Sequence, residues 1–164
     1  MVKKLVILTM LTLLLTGCGG ELTYETVTDV YQTPENIAAQ KVAVALPEEA
    51  AQSVMGGDQQ GRLYFCDGYT VSVQTLAAGD LDATLRAVTG YGRDALTLME
   101  QQQGTCKRYD CVWTCVGEGG DHVGRTAILD DGTYHYVLTA MAEAENAGKL
   151  SAAWQKLFTS FRVG

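Results

Sequence analysis

The residues best suited to chemistry in this 164-residue sequence are its cysteines and histidines. Four cysteines follow the N-terminal region, and they are Cys66, Cys106, Cys111 and Cys115. The last three and His122 form a C-x4-C-x3-C…H set that could bind a metal ion. Structural zinc sites usually place their cysteines in close pairs, often two residues apart, so this spacing does not match them. No Cys-x-x-Cys pair is present, which argues against a redox-active dithiol.

Neither histidine belongs to a recognisable catalytic set. In the predicted register of the last hairpin His135 lies opposite Ile128, and a partly buried structural histidine or a surface histidine is favoured over a base or a ligand. No Gly-x-Ser-x-Gly is present, and the glycine-rich stretch 117–120 lacks the Lys-Ser/Thr of a phosphate loop. Asp130-Asp131-Gly132 is typical of a turn and lacks the ligand spacing of an EF-hand. The sequence therefore predicts no enzyme and no cofactor.

The first twenty residues have the features of an export signal. Lys3 and Lys4 precede an apolar run from Leu5 to Leu15, which is shorter than the roughly twenty residues of a membrane span. The tetrad Leu15-Thr16-Gly17-Cys18 resembles the lipobox of bacterial lipoproteins. That resemblance implies cleavage before Cys18, a lipid on its thiol, and anchoring on the extracytoplasmic side of the cell membrane. The alternative is an ordinary signal peptide with an incidental cysteine.

Removal of residues 1–17 leaves 147 of the 164 residues, enough for one domain. The loss of Lys3 and Lys4 takes the formal charge from −7 to −9. An acidic surface argues against a nucleic-acid partner and against a basic patch that grips anionic lipid. The expected partners are the membrane, through the lipid on Cys18, and an unidentified protein of the cell envelope.

Export also affects the other four cysteines, because an even number in an exported domain favours two disulfides. Cys106 and Cys111 flank residues 107–110, a length suited to a hairpin loop. Cys111 and Cys115 would lie roughly 13 Å apart on one strand, and a disulfide needs Cα atoms within about 7 Å. The preferred pairing is therefore Cys106–Cys111 with Cys66–Cys115, and the metal and redox alternatives stay open.

The elements that position these residues follow from periodicity and turn signals. Residues 18–39 are predicted to be a lipidated N-terminus and tether, and residues 40–164 a single domain. The predicted elements are a strand over 41–46, a helix over 48–55, hairpins at Asp67-Gly68 and Asp131-Gly132, a helix after Asp80, strands over 96–101 and 109–116, and a C-terminal helix. Together they predict an α+β fold, in which an antiparallel sheet of about six strands carries helices that include this C-terminal amphipathic helix.

Aromatic residues mark both the core and a possible groove. Leu150, Trp154, Leu157, Phe158 and Phe161 form one apolar stripe on the C-terminal helix. Four tyrosines on the predicted strands could instead line a ligand groove, and they are Tyr64, Tyr69, Tyr134 and Tyr136. A sheet-face position under the helices is the alternative for these tyrosines.

This order of elements resembles the PsbP-like fold over about residues 41–163. The resemblance rests on the early strand that ends at Leu46-Pro47, the Tyr134-His135-Tyr136-Val137-Leu138 strand, and the closing Trp154…Leu157-Phe158…Ser160-Phe161 helix. It implies a non-enzymatic accessory or binding protein and supplies no functional residues. The sequence thus predicts a lipid-anchored, non-catalytic accessory or binding lipoprotein of the envelope. The alternative is a module that binds a small molecule or a metal through the aromatic face or the four cysteines.

Overall fold

The computed structural model describes residues 37–54, 61–117 and 119–164, and residues 37–164 form one compact unit. The predictions for the signal peptide, for Cys18 and for most of the tether lie outside the described residues. The strands are β1 Val42–Ala43, β2 Ala51–Val54, β3 Gly61–Cys66, β4 Tyr69–Ala77, β5 Met99–Gln103, β6 Cys106–Gly117, β7 Gly120–Asp130, β8 Tyr134–Glu143 and β9 Arg162–Val163. The α-helices are α1 Leu81–Thr89, α2 Ala144–Ala147 and α3 Ser151–Ser160, and short 3-10 turns span Arg93–Ala95 and Gly148–Leu150.

Seven of these strands form one antiparallel sheet in the order β2-β3-β4-β8-β7-β6-β5, and β1 pairs separately with β9. The α+β class and the antiparallel hairpins are confirmed, but the sheet has more strands than the six predicted. One reason is β2, because residues 51–54 pair with β3 where the sequence predicted a helix. The cross-strand pairing with a long neighbouring hairpin outweighs the weak helical pattern of this short segment.

Both hairpins turn at the predicted Asp-Gly pairs, where Gly68 and Gly132 have φ of +76° and +88°. The predicted register of the second hairpin is wrong by two residues. His135 lies opposite Asp130, not opposite Ile128. The turn is longer than predicted because the Asp131 carboxylate accepts hydrogen bonds from the backbone N–H groups of residues 133 and 134.

The two longest helices cover opposite faces of the sheet. We call the face under α1 the front face and the face under α3 the back face. Helix α1 is capped at its N-terminus by Asp80, whose side chain accepts from the N–H of Asp82, and at its C-terminus by Gly90 with φ of +82°. It buries Leu85 against Ile128 and other front-face residues. The predicted stripe on α3 is confirmed: Trp154, Leu157, Phe158 and Phe161 are all buried on the back face.

A buried ion pair ties the back face together at β6. Arg108 donates to both carboxylate oxygens of Asp110, over 2.6 and 2.9 Å. Arg125 on β7 lies 3.5 Å from the same carboxylate, and its guanidinium sits 4.3 Å from the centre of the Phe158 ring. The network therefore links β6, β7 and α3 through groups that satisfy one another away from water.

The compact unit begins at Ile37, three residues before the predicted domain boundary. The Tyr134 hydroxyl donates to the Ile37 carbonyl, and the Gln40 N–H donates to the Tyr136 hydroxyl. Tyr136 donates in turn to Asp131, which also accepts from the Gln40 side chain. Burial favours the protonated carboxyl, but these donors and the turn N–H groups lower the pKa of Asp131 below its ordinary value. The first described residues are thus attached to the Tyr134 end of β8.

Candidate functional site

Helix α1 covers only part of the front face, and a cleft of about 250 Å³ lies beside it. Strands β3, β4, β6 and β8 supply its floor and sides, and α1 supplies one wall. The lining residues are Leu63, Thr70, Ser72, Gln74, Ala87, Val88, Trp113, Thr139 and Met141. None of these nine side chains is ionisable at neutral pH.

The floor of the cleft is a row of small polar side chains that strand pairing brings side by side. Ser72 on β4 lies opposite Thr139 on β8, and Thr139 lies opposite Thr126 on β7. Side chains alternate between the two faces along β4. Thr70, Ser72 and Gln74 therefore point to the front, while Val71 and Val73 pack on the back.

A chain of hydrogen bonds links the hydroxyl groups of this row. The Trp113 indole N–H donates to the Thr126 hydroxyl over 3.0 Å, and the Thr126 and Thr139 hydroxyls are 3.0 Å apart. Either of these two hydroxyls can be the donor to the other. The chain thus connects the Trp113 ring to Thr139 in the cleft lining.

Trp113 forms a fixed wall of the cleft because its ring lies directly on the backbone of Gly124. A Cβ atom at position 124 would come within 2.3 Å of Trp113 Cε2 and 2.4 Å of Cζ2. Glycine is therefore required here for the close approach of the ring to β7. The indole is 8% exposed, so only its edge contributes to the surface.

The chemistry available in the cleft is hydrogen bonding beside apolar surface. Hydroxyl groups of Thr70, Ser72 and Thr139 can donate or accept, while Leu63 and Met141 offer apolar contact. The lining residues offer no carboxylate, imidazole or amine for acid–base catalysis. The arrangement suits the binding of an uncharged group.

The two histidines lie at opposite ends of the sheet and outside the cleft. His122 is half-buried, and its Nδ1 lies 3.0 Å from the Gly120 carbonyl. His135 is fully buried under α1, with Nδ1 at 2.8 Å from the Thr84 hydroxyl and Nε2 at 3.8 Å from Asp130. Burial lowers the pKa of His135 although Asp130 and Asp131 oppose this. The sequence analysis missed this Thr–His–Asp arrangement, in which Thr84 and His135 are buried and the Asp130 side chain is 24% exposed.

The four cysteines of the domain are free thiols and do not come together. Cys106 and Cys111 lie on the same strand, five residues or roughly 16 Å apart, because residues 107–110 continue β6 and do not form the predicted hairpin loop. Cys66 packs on the back face and Cys115 on the front face. Neither predicted pair is therefore within the reach of a disulfide. Burial raises the pKa of the Cys111 thiol to about 11.

The predicted metal set is not assembled either. Cys106 lies on the back face, whereas Cys111 and Cys115 lie on the front face with the cluster under α1. Over the ranges that the structure describes, no three or more His, Cys, Asp or Glu side chains group in a way that could hold a metal ion.

The predicted aromatic groove is replaced by core packing. Tyr69 and Tyr136 are buried in the back-face cluster under α3, and Tyr64 and Tyr134 are partly buried and pack against the same cluster. Tyr69 meets Trp154 edge to face at 6.5 Å between ring centres. The sheet-face alternative for these tyrosines is thus correct.

Within the described ranges, no helix has both the length and the apolarity that crossing a membrane requires.

No protein-family model and no curated protein matches this chain. Among solved structures, the cyanobacterial PsbP (CyanoP) of Synechocystis sp. PCC 6803 is similar with a TM-score of 0.55 at 10% identity, over 80% of this chain and 96% of that one. A Bacteroides thetaiotaomicron protein is similar with a TM-score of 0.50 at 10% identity, over 75% of this chain. This chain spans only 45% of the length of that protein. These likenesses show that the fold is PsbP-like.

Proposed function

We propose that this protein is a lipid-anchored accessory protein of the bacterial cell envelope, whose PsbP-like domain binds an uncharged ligand or an uncharged part of a partner in the front cleft. The observation that carries this proposal is the cleft itself, a hydroxyl-lined depression of about 250 Å³ without an ionisable side chain. Such a lining supports recognition by hydrogen bonds and apolar contact. It supports binding without catalysis, since its residues supply no general acid or base.

The anchor is the second part of the proposal and rests on the sequence. The tetrad ending at Cys18 directs lipid to that thiol, and signal cleavage leaves Cys18 as the first residue. The compact unit begins at Ile37. Nineteen residues, 18–36, can span at most about 65 Å when fully extended. The domain is therefore held within that distance of the extracytoplasmic membrane surface.

Metabolic labelling with a radioactive fatty acid tests the anchor. The wild-type chain should incorporate label, and Cys18→Ser should abolish it. Cys115→Ser is the matched control, because it removes a cysteine from the folded domain and should leave the label unchanged. Incorporation that survives in Cys18→Ser would refute the lipid anchor.

Photo-crosslinking in the native envelope tests the cleft. A diazirine-bearing aliphatic amino acid replaces Met141 in the cleft lining, and the same amino acid replaces Ala153 on the exposed side of α3 as the control. The proposal predicts one defined adduct, identified by mass spectrometry, from position 141 and none from position 153. Equal, unspecific labelling at both positions would contradict binding in the cleft without affecting the conclusion about the anchor.

A further inference from the structure

His135 on β8 joins the sheet to the helix that forms one wall of the cleft. Its side chain is buried, and its Nδ1 lies 2.8 Å from the hydroxyl of Thr84, which is also buried. Ala87 and Val88 follow Thr84 by three and four residues, so they lie on the same side of α1, where they line the cleft. The contact between His135 and Thr84 therefore helps to fix the position of the cleft wall.

Two carboxylates near the hairpin turn, those of Asp130 and Asp131, attract a proton to the His135 ring. Nε2 lies 3.8 Å from the Asp130 carboxylate, which is too far for a hydrogen bond. The Asp131 carboxylate accepts hydrogen bonds within its own turn. Asp130 is also partly exposed and lies opposite the exposed Lys107 of β6. Both carboxylates are therefore only loosely associated with the ring.

The helix and the strand on the other sides of His135 do not balance a charge on its ring. Strand β4 places the apolar Leu76 opposite His135. On α1, Asp80 caps the helix by accepting from the N–H of Asp82, and the Asp82 side chain pairs with Arg86 over 2.7 Å at the surface. Burial therefore outweighs the two carboxylates and lowers the pKa of His135, so that the buried ring is neutral at pH 7.

Protonation changes what the His135 ring can do at this contact. Both ring nitrogens of an imidazolium are donors, so Nδ1 can then only donate to the Thr84 hydroxyl. The ring also carries a positive charge in a buried site, which is unfavourable without a close counter-charge. The Asp130 carboxylate attracts this charge from the Nε2 side, whereas Thr84 lies at Nδ1. Protonation therefore weakens the contact between α1 and β8.

We propose that the Thr84–His135 contact is a pH-dependent switch of the cleft, in which protonation of His135 releases α1 from β8 and opens the cleft wall. Because the folded-state pKa of His135 is lowered, the stability that its neutral ring contributes is fully present above the unfolded-state pKa of about 6.5. That stability is lost as the pH falls through the folded-state pKa. The control of ligand binding by this switch rests on the proposed function, whereas the release of α1 does not.

Two buried thiols on β6 report the release of α1 without any ligand. Cys111 lies in the front-face cluster under α1, whereas Cys106 lies on the back face, and both are less than 5% exposed. The full chain in detergent is labelled with a methanethiosulfonate reagent at about pH 7.5 and about pH 5, and mass spectrometry identifies each labelled thiol. Each rate is divided by the rate of the same thiol in urea at the same pH, which removes the pH dependence of the thiol itself.

The switch predicts that acid exposes Cys111 selectively. Its relative labelling rate should rise at about pH 5 by up to about thirtyfold, the largest factor that a pKa of about 6.5 in the released state allows. The relative rate of Cys106 should stay the same, because α1 does not cover the back face. A rise below about twofold at Cys111, or an equal rise at both thiols through global unfolding, would overturn the proposal. Either result would leave the proposed binding function to its own test at position 141.

Substitution of each histidine in turn assigns the switch to one residue. His135→Asn keeps a polar group near Thr84 but cannot take up a proton, so labelling of Cys111 should no longer depend on pH. His122→Asn is the matched control, because His122 lies away from α1 on the hairpin of β6 and β7, and this variant should keep the rise of the wild type. A rise that persists in folded His135→Asn would overturn the proposal. Circular dichroism checks the folding of both variants, and the wild-type comparison of the two thiols needs no variant.

Discussion

Gly124→Ala is expected to destabilise the domain, because the new methyl group competes for space with the Trp113 ring. The Cβ atom would lie 2.3 Å from the ring, which must move. Overpacking of this kind costs about 1–3 kcal/mol, and loss of the Trp113–Thr126 hydrogen bond adds about 1 kcal/mol. Replacing a strand glycine by alanine raises the free energy of unfolding by about 0.5–1 kcal/mol, which offsets part of this loss. The net loss in the free energy of unfolding is about 2 kcal/mol, or a fall in Tm of about 7 °C for a domain of this size.

Urea unfolding followed by circular dichroism measures this loss, with Gly148→Ala as the control. No atom lies within 4 Å of a Cβ at position 148, so that variant should be as stable as the wild type or slightly more stable. In a Trp113→Phe background the smaller ring leaves more room, and Gly124→Ala should cost less than half as much. A Gly124→Ala variant within about 0.5 kcal/mol of the wild type would refute the assignment of Trp113 as a fixed wall of the cleft.

Three further predictions concern the rest of the domain. Arg108→Met should lower the free energy of unfolding by about 2–4 kcal/mol in urea, because it leaves the buried Asp110 carboxylate with Arg125 alone; a loss below about 1 kcal/mol would show that the pair is not buried as described. Asp131 has a lowered pKa, so the stability that it contributes is fully present above the unfolded-state pKa of about 3.9 and is lost as the pH falls through its folded-state pKa. The stability difference between wild type and Asp131→Asn should therefore shrink in that acid range, and a pH-independent difference would contradict the shift. The Cys111 thiol should resist Ellman's reagent at pH 8 in the folded protein, whereas all four domain cysteines should react in urea without a reductant; a smaller count in urea would reveal disulfides.

The elements that the sequence predicts correctly are those set by local signals. Helix α1 follows from the cap at Asp80 and the glycine at position 90, and α3 follows from its apolar stripe. The Asp-Gly turns locate both hairpins. Strand β2 carries no such signal, because Ala51–Val54 is a short mixed segment whose conformation depends on pairing with β3. The register of the second hairpin depends on side-chain hydrogen bonds of Asp131, which residue patterns do not show.

The hairpin loop predicted for residues 107–110 was wrong for a related reason. The polar run from Lys107 to Asp110 suggests a loop, but Arg108 and Asp110 neutralise each other and are buried within a continuous strand. Cys106 and Cys111 are five positions apart, an odd difference, so the strand places them on opposite faces. A single misread loop therefore led to the wrong disulfide pairing.

The sequence analysis did not predict the cleft, because the tyrosines that it considered as a groove lie on the back face. Tyr69 and Tyr136 are the larger side chains, yet α3 covers them. The useful signal was the alternation of Thr70 and Ser72 with valines on β4, since small polar residues facing one side of a strand mark a face that is only partly buried. Which face a helix covers is decided by the whole sheet and not by any one strand.

The position of the cleft relative to the first described residues supports the proposed function. Ile37 and Gln40 are hydrogen-bonded at the Tyr134 end of β8, while Thr139 and Met141 in the cleft lie toward its other end. Seven residues of strand, from 134 to 141, separate the two regions by roughly 23 Å. The first described residues and the cleft therefore lie at different ends and on different sides of the sheet. The proposed anchor and the proposed binding site thus involve separate parts of the protein, so Cys18→Ser and the photo-crosslinker at position 141 test them independently.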